Sequence, residues 1–395
     1  MPLKRALLGI GLIWALAGLG ACSPSKGKSA VKFPPLFVLT GVLETGKEPS
    51  FLVTEDFNGD GNLDLVVANS AEHTLSYFKG KGDGSFSEPI LMKTGADPIC
   101  LAVADFNNDR RPDLAELNYQ DQNIFIFINT GESFRNSGQI LKPGRVPINL
   151  TAADFNEDGL TDLAVSLRFH KVVFLWGEGN GNFKEPEPHP VKGQPTGLTF
   201  GDYNHDQHLD LAIALAGSGR TGVQVFWGQG KGKFKPSKLF RGGGQPLTIL
   251  NVDANNDGYD DLLTSSNSLH AITLILNNRD NTFKPLRDFS AGEFPKFVAA
   301  SDFTGDGVMD LAVSNSTNDL ISVVVGNGDG TFSYPPIQHR VEEYPQGIVV
   351  GDFNKDGKLD LAVSCRDKNM INILTKRNLP SYPVQAAPPP DTKAS

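Results

Sequence analysis

The segment DFNGDGNLDL, which runs from Asp56 to Leu65, decides the fold of this chain because seven copies of it occur in the sequence. Successive copies begin 48 to 51 residues apart. A period kept this regularly indicates an array or a closed ring of repeats rather than several unrelated domains. The seven copies begin at Asp56, Asp105, Asp154, Asp202, Asp253, Asp302 and Asp352.

Each repeat contains four short runs of β-branched and apolar residues, separated by Gly, Asn, Asp and Pro. A proline lies seven residues before the first aspartate of every copy, and a leucine follows its last aspartate. No stretch shows a sustained helical period, so the chain is predicted to be all-β, a seven-bladed β-propeller of four-stranded antiparallel blades. A GxGxGxF turn ends at Phe86, Phe183, Phe234 and Phe332, and weaker forms end at Phe134 and Phe283.

The two ends of the repeat region predict how the ring closes. The seventh repeat has three strand-like runs and then enters Pro-rich sequence, so its fourth strand is missing. A spare run, Leu36–Gly41, precedes the first repeat at the register of a fourth strand. We expect this N-terminal strand to complete the last blade, because joining both ends in one sheet removes open edges. The predicted propeller spans residues 36–378, and a disordered Pro-rich tail follows at 379–395.

Residues 1–21 are predicted to be a signal peptide of the lipoprotein type. A basic start at Lys4 and Arg5 is followed by the apolar run Ala6–Ala17, which is too short to span a bilayer comfortably. Small residues then lead to Cys22 in a stretch that resembles a bacterial lipobox, after which the cysteine is lipidated and becomes the mature N-terminus. The alternative is an ordinary signal peptide that happens to contain a cysteine.

The segment that follows the cysteine predicts how the propeller is held. Residues 22–35 are small, polar and contain proline, which is typical of a flexible tether. Ser23 provides no acidic retention signal, so by resemblance the expected destination is the outer membrane. The protein is therefore expected to be exported and to contact the membrane through its N-terminal lipid only.

The repeated loop places side-chain oxygens at its first, third, fifth and ninth positions, which are Asp56, Asn58, Asp60 and Asp64 in the first copy. Alternate residues of a curled loop converge on one point, and Gly61 at the sixth position lets the chain turn sharply. Calcium takes six to eight oxygen ligands and tolerates irregular geometry. Because all these ligands are hard oxygens, calcium is the predicted cofactor, with up to seven sites.

The predicted calcium ligands occupy these four positions in all seven copies. The competing interpretation is a set of polar turns capped by Asp and Asn, without metal. Three aspartates packed in every loop argue against it, because they repel one another unless a cation neutralises them. The predicted ligands are Asp56, Asn58, Asp60, Asp64, Asp105, Asn107, Asp109, Asp113, Asp154, Asn156, Asp158, Asp162, Asp202, Asn204, Asp206, Asp210, Asp253, Asn255, Asp257, Asp261, Asp302, Thr304, Asp306, Asp310, Asp352, Asn354, Asp356 and Asp360.

An EF-hand begins with a similar spacing, but it also needs flanking helices and a glutamate at the twelfth position. Only the second copy has such a glutamate, Glu116, and strand-like runs flank every loop. The sequence therefore disfavours an EF-hand.

The DFNxDGxxDL loop between two strands, followed by the GxGxGxF turn, resembles the FG-GAP and VCBS repeats of integrin-α-type propellers over about residues 36–378. The resemblance implies that the acidic loop joins the inner two strands of a blade and binds calcium through the four positions named above. Three copies depart from the pattern. Arg110 and Gln207 replace the glycine of the second and fourth loops, and Thr304 stands at the third position of the sixth. The second and fourth sites are expected to be the weakest.

Composition and motifs exclude several classes of function. The formal net charge is −9 and no long basic run occurs, so nucleic acid is not an expected partner. No nucleophile elbow, P-loop, HExxH or spaced Cys/His cluster is present, and no catalytic residue is predicted. His205 and His208 form an HxxH pair inside the fourth loop, which we interpret as exposed loop residues rather than a zinc site.

The loops opposite the acidic loops are the predicted ligand-binding region. In the family that this chain resembles, propellers usually bind partners on that face, and here the loops between the second and third strands differ most among the repeats. Aromatic and arginine side chains are good anchors for sugars or proteins. The candidate ligand-binding residues are Tyr119, Arg168, His170, Arg220 and Arg366.

Three functional hypotheses follow from these observations. The first is a calcium-stabilised, non-enzymatic and monomeric binding or adhesion module at the cell envelope, which recognises glycans or surface proteins. The second is a lyase-like enzyme that acts on polysaccharides, which a cation-lined cleft beside Arg or Lys would favour. The third is an envelope assembly scaffold, which co-purification with outer-membrane proteins would favour. The fold does not decide among them.

Overall fold

The structure is a computed structural model that describes residues 35–217, 221–266 and 268–378. The side chains of residues 285–287 are not described. The predicted signal peptide, Cys22, nearly all of the tether and the Pro-rich tail lie outside the described residues. Within the described ranges, no helix combines the length and the apolar character that crossing a bilayer requires.

Seven four-stranded antiparallel sheets form the blades of a β-propeller. The prediction of an all-β, seven-bladed propeller is therefore confirmed. The first strand of each blade lies nearest the axis and begins at or next to the proline that the repeats share. These first strands are β2 (Pro49–Glu55), β6 (Pro98–Ala104), β10 (Pro147–Ala153), β14 (Gln194–Gly201), β18 (Pro246–Val252), β22 (Pro295–Ser301) and β26 (Pro345–Gly351).

The second strand of each blade begins at the ninth aspartate of its acidic loop. Nearly every residue in these strands is buried, because both faces of a middle strand lie against neighbouring blades. That burial explains why they read as short continuous apolar runs. The second strands are β3 (Asp64–Asn69), β7 (Asp113–Asn118), β11 (Asp162–Leu167), β15 (Asp210–Ala216), β19 (Asp261–Ser266), β23 (Asp310–Asn315) and β27 (Asp360–Cys365).

The third and fourth strands complete each blade towards its outer edge. A 3₁₀ turn, Arg366–Lys368, connects the second and third strands of the last blade. The third strands are β4 (Thr74–Phe78), β8 (Asn123–Asn129), β12 (Lys171–Leu175), β16 (Gly222–Gly228), β20 (Ala271–Asn277), β24 (Leu320–Val324) and β28 (Met370–Lys376). The outer strands are β5 (Ile90–Lys93), β9 (Phe134–Leu141), β13 (Glu187–Pro190), β17 (Phe234–Phe240), β21 (Phe283–Phe289), β25 (Ile337–Arg340) and β1 (Phe37–Glu44).

Ring closure joins the two ends of the propeller in one blade. Strand β1 pairs antiparallel with β28, from Phe37 opposite Lys376 to Glu44 opposite Met370. The backbone N–H of Arg377 donates to the carbonyl of Leu36 at 2.8 Å, and β26 contacts β2 of the first blade. The predicted completion of the last blade by an N-terminal strand is confirmed.

The hydrophobic core consists of apolar layers between adjacent blades. In one of these layers Phe57 of blade 1 packs edge to face against Phe134 of blade 2, with ring centroids 5.3 Å apart. The first strands enclose an axial channel of about 460 Å³ with a mostly apolar lining. Phe51 and Phe297, from blades 1 and 6, meet in this channel with ring centroids 5.5 Å apart. The ring is therefore held by side-chain packing between blades as well as by the closing strand.

In four blades the turn after the third strand passes so close to the acidic loop that the residue there is glycine. A Cβ on Gly80 would lie only 2.1 Å from the carbonyl oxygen of Leu63. In blade 2 the equivalent residue is Asn129, whose side-chain amide donates to the carbonyl of Pro112 at 2.9 Å. Asn277 has the same place in blade 5. This exchange explains why the GxGxGxF pattern is weak in those two repeats.

Candidate functional site

The acidic loops between the first and second strands lie on one face of the ring, which we call the loop face. In the first blade the backbone N–H groups of Asp60 and Gly61 donate to the two oxygens of Asp56, at 3.1 and 2.8 Å. The equivalent pair of hydrogen bonds forms in the other six blades. Each loop therefore curls around its own first carboxylate.

The sixth residue of every loop has a left-handed backbone. Gly61 has a φ of 82°, which glycine adopts without steric cost. Arg110 and Gln207 have φ values of 69° and 72°, so both take a conformation that is uncommon for residues with a Cβ. Their N–H groups still donate to the first carboxylate at 2.7 and 2.9 Å. The substitutions therefore strain the turn without changing its course.

The ninth aspartate is fully buried in every blade and joins the loop to the sheet. Asp64 accepts the N–H of Phe57 at 3.2 Å and the N–H of Gly80 at 2.7 Å. The other six ninth aspartates likewise accept one N–H from the loop and one from the end of the third strand. This carboxylate ties together the first three strands of its blade.

Burial and neighbouring charge both raise the pKa of the ninth aspartates. Desolvation is the main cause at Asp113 and Asp162, where it raises the pKa to about 6 and about 7. The carboxylates at the fifth position, Asp109 and Asp158, raise the pKa further. The carboxylates of one loop therefore repel one another, which favours a bound counter-ion.

Three loops carry a counter-ion that the chain itself supplies: a lysine in the seventh, where Lys358 Nζ lies 3.4 Å from Asp356 Oδ2, and an arginine in the second and the fifth. Arg111 Nη2 lies 2.6 Å from Asp109 Oδ2 in the second loop. Arg279 Nη2 lies 2.7 Å from Asp257 Oδ2 in the fifth loop, and its guanidinium lies 5.4 Å from the ring centre of Tyr259. All three aspartates stand at the fifth loop position. In the second and fifth blades a guanidinium already neutralises a carboxylate that calcium would need.

The chemistry of the remaining loops fits a hard cation. Among the described residues, no three His, Cys, Asp or Glu side chains are gathered closely enough to hold a metal. In the third and fourth loops each oxygen of the first aspartate nevertheless accepts one N–H, so a second lone pair remains for a cation. In the first and sixth loops one oxygen of Asp56 and one of Asp302 already accept two N–H groups. The first, third, fifth and ninth residues of a loop would hold calcium. The calcium ligands stay predictions.

Among the described residues, hydrogen bonds on the loop face join neighbouring blades through the carbonyl of the second residue in five of the acidic loops. The N–H of Gly84 in blade 1 donates to the carbonyl of Phe353 in blade 7 at 2.9 Å. In blade 2 the side-chain amide of Asn129 does the same to the carbonyl of Phe57 at 2.7 Å. A change in one loop is therefore transmitted to the next blade through a direct hydrogen bond.

The opposite face, which we call the clamp face, carries one distinctive residue per blade immediately before the shared proline. These residues are exposed or half-buried, and their side chains differ in charge and polarity. All but the fourth have left-handed φ values of 52° to 62°, which is uncommon for residues other than glycine. The pre-proline residues are Glu48, Asp97, Val146, Gln194, Gln245, Phe294 and Tyr344.

Hydrogen bonds on both sides hold the pre-proline residue in this conformation. At Asp97 the N–H donates to His73 Nδ1 of the preceding blade at 3.0 Å. The carbonyl of Asp97 accepts the N–H of Tyr119, from its own blade, at 2.8 Å. Equivalent acceptors from the preceding blade are Gln122 for Val146, His270 for Phe294, Asp319 for Tyr344 and Asn369 for Glu48. We call this arrangement the clamp.

The predicted ligand-binding residues that the structure describes lie on the clamp face, but their side chains differ in exposure and in their contacts within the chain. Arg168 is exposed and Tyr119 is half-buried. His170 is exposed, and its Nδ1–H donates to the carbonyl of Gly193 at 2.7 Å. Arg220 lies outside the described residues.

Arg366, the fifth predicted residue, takes part in ring closure. Its guanidinium forms an ion pair with Glu48 of the first blade and lies 5.8 Å from the ring centre of Tyr344. Part of its binding capacity is therefore already used within the chain.

Two exposed aromatic residues on the clamp face were missed by reasoning from the sequence. Phe169 is 55% exposed, and the guanidinium of Arg145 lies 5.9 Å from its ring centre. Phe294 is 39% exposed and packs edge to face against His270, with ring centroids 4.3 Å apart. The position before each shared proline was a signal that could have singled out Phe294.

The HxxH pair of the fourth loop contacts two different neighbouring blades. His205 stacks on Tyr259 of blade 5 with ring centroids 3.9 Å apart. His208 Nδ1 lies 2.5 Å from Glu157 Oε1 of blade 3. The two imidazoles therefore have separate partners, which agrees with an assignment as loop residues.

A closed ring of seven four-stranded blades, each with an acidic loop between its first two strands, defines a repeat-type β-propeller. The family model for the FG-GAP-like repeat matches residues 56–116, 158–213, 253–313 and 302–363, which together make up more than half of the chain. The chain belongs to the FG-GAP-like repeat family, and the resemblance seen in the sequence is confirmed. A comparison with curated proteins gives no match.

Solved structures share this fold at low sequence identity. The crystal structure of BBS1N in complex with ARL6DN, soaked with lead, has a TM-score of 0.65 and 13% identity over 88% of this chain and 99% of that chain. The crystal structure of Chaetomium thermophilum Raptor has a TM-score of 0.63 and 14% identity over 87% of this chain and 29% of Raptor.

Proposed function

We propose that this protein is a non-enzymatic binding module that presents its clamp face to another protein at the cell envelope. The observation that carries the proposal is the set of pre-proline residues. Six of these seven equivalent positions share a left-handed backbone, yet the set carries acidic, amide, aliphatic and aromatic side chains. A rigid frame with variable side chains suits partner recognition, whereas a position needed only for stability would carry similar residues.

Aromatic anchors on adjacent blades support a protein ligand. The exposed Phe294 and the half-buried Tyr344 stand at the pre-proline positions of blades 6 and 7. The exposed Glu343 directly precedes Tyr344. Exposed aromatic side chains surrounded by polar groups are typical hot spots of protein interfaces. A propeller of the same fold binds a protein partner in the complex of BBS1N with ARL6DN.

The course of the chain ends supports a cell-surface orientation. Leu36 and Arg377 are hydrogen-bonded to each other where β1 begins and β28 ends, which is on the loop face. A lipid at Cys22, on the outer membrane, would therefore be joined to the ring through the tether at the loop face, so that the attachment itself does not cover the clamp face. Calcium in the acidic loops would act as a stabiliser of the ring rather than as part of the partner site.

Site-specific photo-crosslinking tests this proposal. A photoreactive phenylalanine analogue at position 294 or 344, in intact cells, is expected to give a discrete adduct with one protein. Excess unmodified propeller should compete for that adduct. Leu91 is the matched control, because it is 60% exposed on outer strand β5 and away from the clamp face. Equal adduct yield at position 91, or none at 294 and 344, would refute the proposal.

A further inference from the structure

Blade 4 carries a concentration of positive charge that is unusual for this chain. No Asp or Glu occurs from residue 211 to residue 252, although the chain has 45 acidic and 36 basic residues. Five described basic residues of this stretch are exposed, and none is ion-paired with a described carboxylate. They are Lys231, Lys233, Lys235, Lys238 and Arg241.

Two of these lysines line one cavity of about 430 Å³ beside outer strand β17. Simple alternation along a strand would place Lys235 and Lys238 on opposite faces of the sheet. The pairing of β17 with β16 is interrupted by a bulge between Gln224 and Phe226. The extra residue of the bulge shifts the alternation, so both lysines reach the same cavity.

The lining contains one carboxylate, Asp206 of the fourth acidic loop, which the two lysines outnumber, and the rest of it suits a sugar ring. The indole of Trp227 is held by near-parallel stacking on Phe283 of blade 5, with ring centroids 6.2 Å apart. Asn204, Gln229 and Asn281 add amide groups that both donate and accept hydrogen bonds. A sugar ring presents apolar faces to an aromatic side chain and hydroxyl groups to amides. The lysines add the positive charge that a negatively charged sugar would need.

The charged region is too narrow for a wide anionic surface. Glu185 and Glu187 are exposed on the outer part of blade 3, and Asp280 and Asp288 are exposed on the outer part of blade 5. A bilayer or a nucleic-acid duplex laid across blade 4 would meet these carboxylates on either side. A single linear chain could follow the lysines without meeting them.

We propose that the outer edge of blade 4 binds an anionic polysaccharide, a linear chain with carboxylate or sulfate groups along it. One sugar ring occupies the cavity, and Lys235 and Lys238 pair with its charged groups. Lys231 and Lys233 extend the contact along the chain. This site lies on outer strand β17 and is separate from the clamp face.

Binding of the mature protein to immobilised polygalacturonate, dextran sulfate, uncharged dextran and single-stranded DNA tests the proposal. We expect binding to polygalacturonate or dextran sulfate, and the preferred one identifies the charged group. The double variant Lys235→Gln/Lys238→Gln should weaken that binding about tenfold. The control Lys81→Gln/Lys93→Gln makes the same charge change at exposed lysines of blade 1 and should leave the affinity within about twofold.

Several results would overturn this site. Equal weakening by both double variants would mean that only overall charge matters. Tighter binding to DNA than to either charged polysaccharide would assign the lysines to nucleic acid instead. Binding to neither of the two charged polysaccharides would also refute the proposal. An unchanged Tm of each variant shows that a loss of binding does not come from unfolding.

Discussion

Glu116 is a single residue that departs from its repeat in a physically costly way. It lies in β7 at a position where β3 and β11 carry Val67 and Val165. Its side chain is fully buried, Asn118 Nδ2 donates to its Oε2 at 2.8 Å, and its Oε1 has no hydrogen-bond partner among the described residues. Burial raises the pKa of Glu116 well above its usual value, which favours the neutral carboxyl in the folded protein.

Glu116→Gln is expected to remove a pH-dependent loss of stability. The folded-state pKa lies above the unfolded value of about 4.3, so the wild type is fully stabilised below that pH and loses stability as pH rises towards the folded-state pKa. Urea unfolding at a series of pH values should show a flatter profile for the variant. Glu185→Gln, at an exposed site, is the control. Parallel profiles for Glu116→Gln and the wild type would contradict a buried neutral carboxyl.

At the scale of the element, the ninth aspartate organises each blade. Asp162→Asn leaves one oxygen for the backbone N–H donors of Phe155, Asn156 and Gly177 and sets an NH₂ group against the donors on the other side. The free energy of unfolding should fall by about 2–4 kcal/mol. Because the partners are backbone groups, chemical denaturation should give the same loss in calcium and in excess EDTA.

Asp158→Asn provides the comparison for that experiment. This fifth-position residue is exposed, and its effect on stability should be smaller and should depend on calcium. A harmless Asp162→Asn in EDTA would mean that the ninth aspartate acts as a metal ligand rather than as a strand connector.

The arginine counter-ions also act at the scale of the element, since each neutralises a carboxylate of one acidic loop. If calcium fills the loops without arginine, Arg279→Gln should add one calcium site in the fifth loop, because it frees the carboxylate of Asp257. Isothermal titration calorimetry measures the stoichiometry. Arg135→Gln removes an exposed arginine elsewhere and should add none. An unchanged stoichiometry in Arg279→Gln would show that this arginine does not exclude calcium.

At the scale of the whole molecule, β1 holds the ring closed. A chain that starts at Thr45 leaves the edge of β28 unpaired, so its Tm should fall sharply and it should aggregate. A synthetic peptide of residues 36–44 should restore the Tm, because it can pair with β28 in trans. The same peptide with Val42→Pro breaks that pairing opposite Asn372 and should fail. Equal rescue by both peptides would argue against closure by strand pairing.

Features that recur in every repeat could be predicted from the sequence, and features that depend on contacts between repeats could not. The period, the shared proline and the spare strand at Leu36 were enough to predict the ring and its closure. The clamp could not be predicted from a sequence motif. The residue that accepts the hydrogen bond from the pre-proline N–H is histidine, glutamine, aspartate or asparagine in different blades. Arg279 lies in a different turn from Asp257, and only folding brings them together.

The pairing of β1 with β28 also imposes an order on protein synthesis. Strand β1 is the first propeller strand to be made, whereas Lys376, the partner of Phe37, is nearly the last propeller residue. Until then the nascent chain displays the apolar side chains of Leu36 and Phe37, which the closed ring buries. Any product truncated before β28 keeps that exposed strand, which chaperones and proteases can recognise. Only a product that includes β28 can therefore become a closed ring.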